Sequence, residues 1–240
     1  MKTTISLITI AGLAAAANAQ LINEFEPNPA GGDPAQQQVE LSGQAGSSFD
    51  LWLLSIENDD QSSRGTVDRA SNVSGVFDSN GLAVVTIDDL ENPSNTLILS
   101  DAFTGSVGVD YDVANDGNLD TSAFGNVLDA VGVSDDAGDD ALLYASGLGG
   151  TDILFNGQFE PLFVFRELST GDWYQGVTVD FGDPTERLGV FAAFGGPEIS
   201  PDAFTPSAST TFGADNPLIP APASAALLGL GGLAAVRRRR

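Results

Sequence analysis

"LAVVTID" (82–88) decides the fold class. Ala83, Val85 and Ile87 fall on one side of an extended chain, and Val84, Thr86 and Asp88 on the other. A period of two is the mark of a half-buried strand. "GVTVDF" (176–181) repeats the pattern, with Val177, Val179 and Phe181 inward and Thr178 and Asp180 outward. "FDLWLLSI" (49–56) is apolar on both sides, as a strand covered on both faces would be. Further short runs read the same way: "INEF" (22–25), "QVEL" (38–41), "TLILSD" (96–101), "LDAVGV" (128–133), "ALLYA" (141–145) and "PLFVFREL" (161–168). Turn clusters such as "DSNG" (78–81) and "STGDW" (169–173) separate them. No long stretch carries apolar residues at helical spacing, and no fixed-period repeat is present. The expectation is an all-β, two-sheet β-sandwich.

The ends read differently. Lys2 precedes an apolar run over residues 5–17, and Ala17-Asn18-Ala19 fits a small-x-small cleavage site. That order describes a secretory signal helix over 1–19, with Gln20 as the first mature residue. At the other end Pro217, Pro220 and Pro222 interrupt regular structure. Residues 223–236 are then Ala, Leu, Gly, Ser and Val, followed by Arg237, Arg238, Arg239 and Arg240. A full membrane span needs about 20 apolar residues. This run is shorter, and an Arg block stays on the cytoplasmic side. The layout suits a short hydrophobic helix held in the membrane only until it is cut. Residues 205–216, small, polar and Pro-containing, read as a linker behind a domain spanning 20–204.

Pro220-Ala221-Pro222, the apolar run and the Arg block together resemble the PEP-CTERM sorting signal, with Ala221 where the family pattern has Glu. The resemblance covers residues 217–240. It implies bacterial export, signal peptidase and exosortase as processing partners, and only transient membrane contact. It also implies an envelope or extracellular-matrix setting and an association with exopolysaccharide or biofilm. "LINEFEPNPAGGDPAQQQVELSG" (21–43) resembles the opening of a lamin-tail-like domain, through Ile22-Asn23-Glu24 and Val39-Glu40-Leu41. "VLDAVGVSDD" (127–136) and "FTPSASTTFGADNP" (204–217) resemble later parts of that family. What that likeness implies is an immunoglobulin-like sandwich and no single activity.

Charge limits the partners. The basic residues are Lys2, Arg64, Arg69, Arg166, Arg187 and the four terminal Arg. Residues 20–216 therefore hold four Arg against all 33 acidic residues, a formal net charge of −29. Such a surface repels phosphate backbones, so nucleic acid is not an expected partner. The chain has no Cys and no His, which removes disulfides, thiolate metal sites, His-ligated zinc and Ser-His-Asp triads.

Carboxylates are what remain for chemistry. Glu24, Glu26 and Glu40 lie near adjacent predicted strands, and a carboxylate pair at suitable separation can hydrolyse a glycosidic bond. The plainer expectation is that Glu24 and Glu40 bond nearby backbone N–H groups. "DYDVANDGNLD" (110–120) offers Asp112, Asp116, Asn118 and Asp120 as tentative calcium ligands around Gly117. It lacks the bidentate Glu of an EF-hand, so only a looser calcium loop is expected. "DDAGDD" (135–140) is a second acidic loop. Trp173 and Tyr174, following a turn, are candidates for stacking on a sugar, whereas Trp52 reads as core. The combined expectation is a non-enzymatic, exported structural or adhesive protein with no certain cofactor and calcium as the one candidate. The alternatives are a carboxylate-based extracellular hydrolase and a calcium-dependent glycan-binding module.

Overall fold

Eleven strands form two sheets among the residues described by this computed structural model, which are 19–29, 34–59, 64–90, 94–157, 160–178, 188–193 and 195–220. The strands are β1 (Leu21–Phe25), β2 (Gln36–Ser42), β3 (Ser48–Glu57), β4 (Val67–Val76), β5 (Leu82–Asp88), β6 (Asn95–Ser100), β7 (Val127–Val133), β8 (Thr151–Ile153), β9 (Phe163–Arg166), β10 (Trp173–Thr178) and β11 (Leu188–Ala192). The first sheet has the order β11-β10-β9-β1-β2-β5 and is antiparallel throughout. The second has the order β4-β3-β6-β7-β8, with only β7 and β8 parallel. Helical structure among the described residues is limited to three 3-10 turns. The all-β sandwich expected from the alternation is thus the architecture found.

The alternation of "LAVVTID" sets β5 as anticipated. Val85 and Ile87 enter the core while Val84 and Thr86 face outward. Between the sheets, Ile22, Phe25, Val39 and Leu41 meet Leu51, Leu53, Leu97 and Leu99. The two-sided apolar character of β3 also has its reason here. Leu51 and Leu53 face this core, while Leu54 and Ile56 face the opposite way into a second cluster with Ile98, Phe124 and Tyr144. The segments 101–126 and 134–150 supply the cover over that outer face. A third cluster lies outside the first sheet, where Phe163, Phe165 and Val190 pack on Phe204 and Ala208. Both sheets are therefore roofed by irregular chain, and apolar residues on both sides of a strand become satisfied.

One bridge ties the sheets together. Asp129 of β7 accepts the Ile22 N–H of β1 at 2.9 Å and the Arg166 guanidinium of β9 at 2.6 Å. Arg166 Nε donates to Ile22 O at 2.8 Å, and the guanidinium stacks 4.7 Å over the Trp173 ring. A buried carboxylate needs such partners, because stripping water from a charge is costly without them.

"ALLYA" (141–145) is not a strand. It forms turns and lies against the outer face of the second sheet. Thr96 Oγ1 accepts the Tyr144 N–H at 3.1 Å and donates to Asn58 Oδ1 at 2.8 Å. Asn58 Nδ2 in turn donates to Leu142 O at 2.6 Å. Side-chain bonds from β6 and the end of β3 thus replace a strand ladder.

Residues 205–216, expected as a linker, are also different. They fold back over β1, β2 and β9, with Ala208 and Asn216 buried. The domain therefore extends through this segment. The signal and tail helices expected over 1–19 and 217–240 fall almost wholly outside the described residues.

Candidate functional site

The acidic loop after β6 holds the four candidate calcium ligands Asp112, Asp116, Asn118 and Asp120. Asp112 turns inward and is 1% exposed. Its Oδ1 accepts the Asp116 N–H at 3.0 Å, and its Oδ2 accepts the Gly117 N–H at 2.9 Å and the Tyr144 O–H at 2.9 Å. The Arg64 guanidinium lies 3.9 Å away. Burial opposes ionisation of Asp112, but the Tyr144 hydroxyl, the two amides and Arg64 outweigh it and hold the carboxyl below its ordinary value. Gly117 sits at φ +82°, a left-handed conformation that lets its N–H aim back at Asp112. Asp112 is thus a staple that ties its own loop to the 141–145 turns and to Arg64 ahead of β4.

Its neighbours are engaged elsewhere. Asp116 Oδ1 accepts the Asn118 N–H and the Asn118 Nδ2, each at 3.0 Å. Asp120 Oδ1 accepts the Ser122 N–H at 3.0 Å and caps the 3-10 turn Thr121–Ala123. The expected calcium ligands Asp112, Asp116, Asn118 and Asp120 therefore do not converge. Among the described residues, no three acidic side chains are grouped closely enough to hold a metal ion. The physical reason is local: in a loop of Asp and Asn the nearest donors are the loop's own amides. Beside it lies an open depression of about 530 Å³, with Val109, Tyr111, Val113 and Leu119 as apolar walls and Asp116 among its polar ones.

The second acidic loop is built likewise. Ser94 Oγ lies 2.6 Å from Asp135 Oδ1 and 2.8 Å from Asp139 Oδ2, its one proton shared between them. Asp136 accepts the Gly138 N–H, and Asp140 accepts the Phe155 N–H. Asp136 closes a local turn, while the other three tie the loop to Ser94 and Phe155.

Glu24 and Glu40 stand directly opposite each other on β1 and β2, and both are fully buried. What buries them is the segment 205–219. Glu24 Oε1 accepts the Thr211 N–H at 2.8 Å, and Oε2 accepts the Thr211 hydroxyl at 2.8 Å. Glu40 Oε2 accepts the Gly213 N–H at 2.6 Å, and Oε1 accepts Asn23 Nδ2 at 2.7 Å. Asn216 completes the clasp by donating to Asn23 O and Arg166 O. Further along, Ser169, Thr170 and the Ile219 N–H all donate to Glu167. Glu24 and Glu40 thus have the structural role anticipated for them, and the group they hold is the chain's own C-terminal strap.

Their electrostatics differ. Burial pushes Glu24 up to about 7, only partly offset by the two Thr211 bonds, and the nearby Glu40 and Glu26 charges add to the rise. Burial also raises Glu40 and Glu26. A protonated Glu24 is accommodated, because Thr211 Oγ1 also lies 3.1 Å from Asn216 Oδ1. Protonated Glu24 donates to the hydroxyl, which then donates to Asn216. Burial works against ionisation of Glu167 as well, yet its bonds from Ser169, Ile219 and Thr170 prevail and bring it down to about 2. No signal in the local sequence could have found this clasp, since its partners lie 187 and 173 residues from Glu24 and Glu40.

The aromatic candidates form no platform. Trp173 is 3% exposed and packs edge-on against Phe25 beneath Arg166. Tyr174 packs on Phe165 and Phe204. Trp52, on the outer face of β3, is partly buried under Phe103.

Of the expected processing residues, Ala19 and Pro220 are described and exposed. Ala17, Ala221, Pro222, Arg237, Arg238, Arg239 and Arg240 lie outside the described residues. No helix among the described residues is long and apolar enough to cross a membrane. No protein family, curated protein or solved structure matches this chain.

Proposed function

We propose that this chain is an exported bacterial surface or extracellular-matrix protein, processed by signal peptidase at its start and by an exosortase at its end. Its role is structural or adhesive, in an exopolysaccharide or biofilm setting. The sandwich is read as an immunoglobulin-like, lamin-tail-like domain, with Ile22-Asn23-Glu24 in β1 and Val39-Glu40-Leu41 in β2. One observation carries the reading. Directly after the docked strap, the chain runs Pro220-Ala221-Pro222, then 14 small or apolar residues, then four Arg. That order suits brief retention in a membrane with the Arg block inside.

The absence of an assigned chemistry is part of the proposal. Glu24 and Glu40 have each oxygen occupied by a donor from the strap or from Asn23. A glycosidase pair needs its carboxyls open to substrate and water. The charge of −29 keeps the domain soluble and away from nucleic acid.

Intact-mass analysis of the protein recovered from the envelope or matrix tests this. The expected mass begins at Gln20 and lacks Arg237 to Arg240. Recovery of mature protein with the Arg block attached would sink the exosortase assignment. A screen of glycosidase, esterase and nuclease substrates is expected to show no turnover above a mock preparation.

A further inference from the structure

The two sheets end on the same side of the sandwich. The last strand of the second sheet there is β4 and that of the first is β5. Between them runs an open groove of about 400 Å³, walled by Asn72, Val73 and Ser74 on one side and Val84, Val85 and Thr86 on the other. The backbone of β4 is the longer free edge. Its phase is set where the Phe77 N–H donates to Ser47 O at 3.0 Å. In an antiparallel ladder, inward and outward bonding alternates residue by residue. Ser71, Val73 and Gly75 therefore bond toward β3. Ala70, Asn72, Ser74 and Val76 hold their N–H and C=O groups outward, and among the described residues no backbone group answers them.

The chain itself shows that this edge accepts a strand. At its start, the Val67 N–H donates to Val109 O at 3.0 Å, and Val67 O accepts the Gly108 N–H at 2.8 Å. That added piece stops there, and the edge continues bare to Val76. Edges are usually guarded by Lys, Pro, inward charge or a bulge. The start of β4 has such a guard, in the irregularity at Asp68 and Arg69, but residues 70–77, "ASNVSGVF", carry no Lys, no Pro and no charge. Residues 82–86 of β5 are uncharged too. Val76 is 63% exposed and Val84 37%. On a domain of charge −29, this is a neutral, partly apolar strip backed by unpaired hydrogen-bonding groups.

That combination selects the partner. A second copy would be repelled by acidic surface elsewhere; here Asp50 of β3 flanks the strip, bonded to Asn72 Nδ2 at 3.0 Å, but residues 70–76 themselves bring no charge against those of a second copy. We infer that β4 pairs antiparallel with β4 of a second copy, about a two-fold axis at Val73. Ala70 then lies opposite Val76 of the partner subunit, and Asn72 opposite Ser74 of the partner subunit. Both pairings are uncharged, and their side chains allow the strand spacing of about 4.8 Å. The interface is isologous and closes as a dimer, so it does not propagate into fibres. This goes beyond export and processing and stands whether or not they occur.

Sedimentation velocity on the purified full chain, over a range of concentration and sodium chloride, tests the dimer. The expected result is a monomer–dimer equilibrium that moves toward dimer with concentration and with salt, as repulsion between copies is screened. Ser74→Glu and Ser74→Pro should each weaken it by about tenfold or more, the first by like charge across the axis and the second by removing an outward donor. Val113→Glu, on the distant acidic loop, should leave it unchanged. Circular dichroism and melting curves establish that each variant is folded. Should the Ser74 variants fail to fold, the absence of native Cys allows a single Ser74→Cys, which a short bis-maleimide should convert to covalent dimer. The same reagent on Val113→Cys should give none. Monomer at every concentration, association unchanged by both Ser74 variants, or association that weakens with salt would each overturn the inference. So would a failure of Ser74→Cys to cross-link above the Val113→Cys background.

Discussion

Replacing Glu24 by Gln should make this protein more stable above neutral pH and remove part of its pH dependence. Glu24 carries a folded-state pKa near 7 against 4.5 when unperturbed. A raised pKa means the folded state holds the proton more tightly than the unfolded chain does. The contribution of Glu24 is therefore fully present below pH 4.5. It declines as pH rises through the window from 4.5 to 7, and is gone above that. A difference of about 2.5 pH units corresponds to about 3 kcal/mol. For a domain of this size, that is about 6–12 °C in melting temperature. Gln mimics the protonated acid: its oxygen can keep the Thr211 N–H, and its amide can donate to the Thr211 hydroxyl, which passes a bond to Asn216. The assay is thermal and urea unfolding of wild type and Glu24→Gln at matched ionic strength from pH 4 to 9. The two curves should lie together near pH 4 and separate as pH rises, with the variant above. Glu40, Glu26, Glu57 and Glu160 are also raised by burial and slope the same way in both proteins, so the difference between curves reports Glu24 together with its coupling to Glu40 and Glu26. Glu167, brought down to about 2, acts in the opposite sense, losing stability as pH falls from 4.5 toward 2, and tilts both curves alike at the acid end of the range. Parallel curves, or a variant less stable at pH 8, would refute the buried-carboxyl reasoning.

A chain ending at residue 204 should fail to fold cooperatively, whereas one ending at 220 should melt in a single transition. Removing the strap uncovers Glu24, Glu40, Phe163 and Phe165, and calorimetry with dye binding reads the exposure. Equal stability of the two chains would restore 205–216 as a mere tether. Calcium, magnesium and sodium chloride at matched ionic strength should raise the melting temperature equally, by relieving repulsion on the acidic surface. A calcium-specific shift lost in Asp116→Ala or Asp120→Ala would mean that the loop rearranges around an ion.

Alternation was enough to read β5, because each side of that strand meets one environment, core or solvent. The two-sided apolar run of β3 was also legible as a doubly covered strand, though not what covers it. β4 was missed. Its sequence, "VDRASNVSGV", has few large apolar residues and several of Ser, Asn and Gly. It is extended because β3 offers it a ladder, and strand propensity is largely a matter of such context. In the opposite direction, "ALLYA" looked like a strand and is a set of turns, since an apolar run states that it will be buried but not with which backbone. Asp112 stands out in the sequence for its dense oxygens, but not for the donors that hold it. Its nearest donors are amides a few residues on, plus Tyr144 from another segment. The strap is the extreme case. Thr, Ser, Pro and Gly over 205–217 carry no apolar pattern, so by themselves they read as a tether. What holds them is a pair of carboxylates on β1 and β2, nearly the whole chain away. Composition and periodicity determine that this chain makes two sheets and an acidic surface. Which carboxylates are buried, and under what, depends on long-range placement, because desolvation is a property of the neighbours that the fold brings and not of the residue itself.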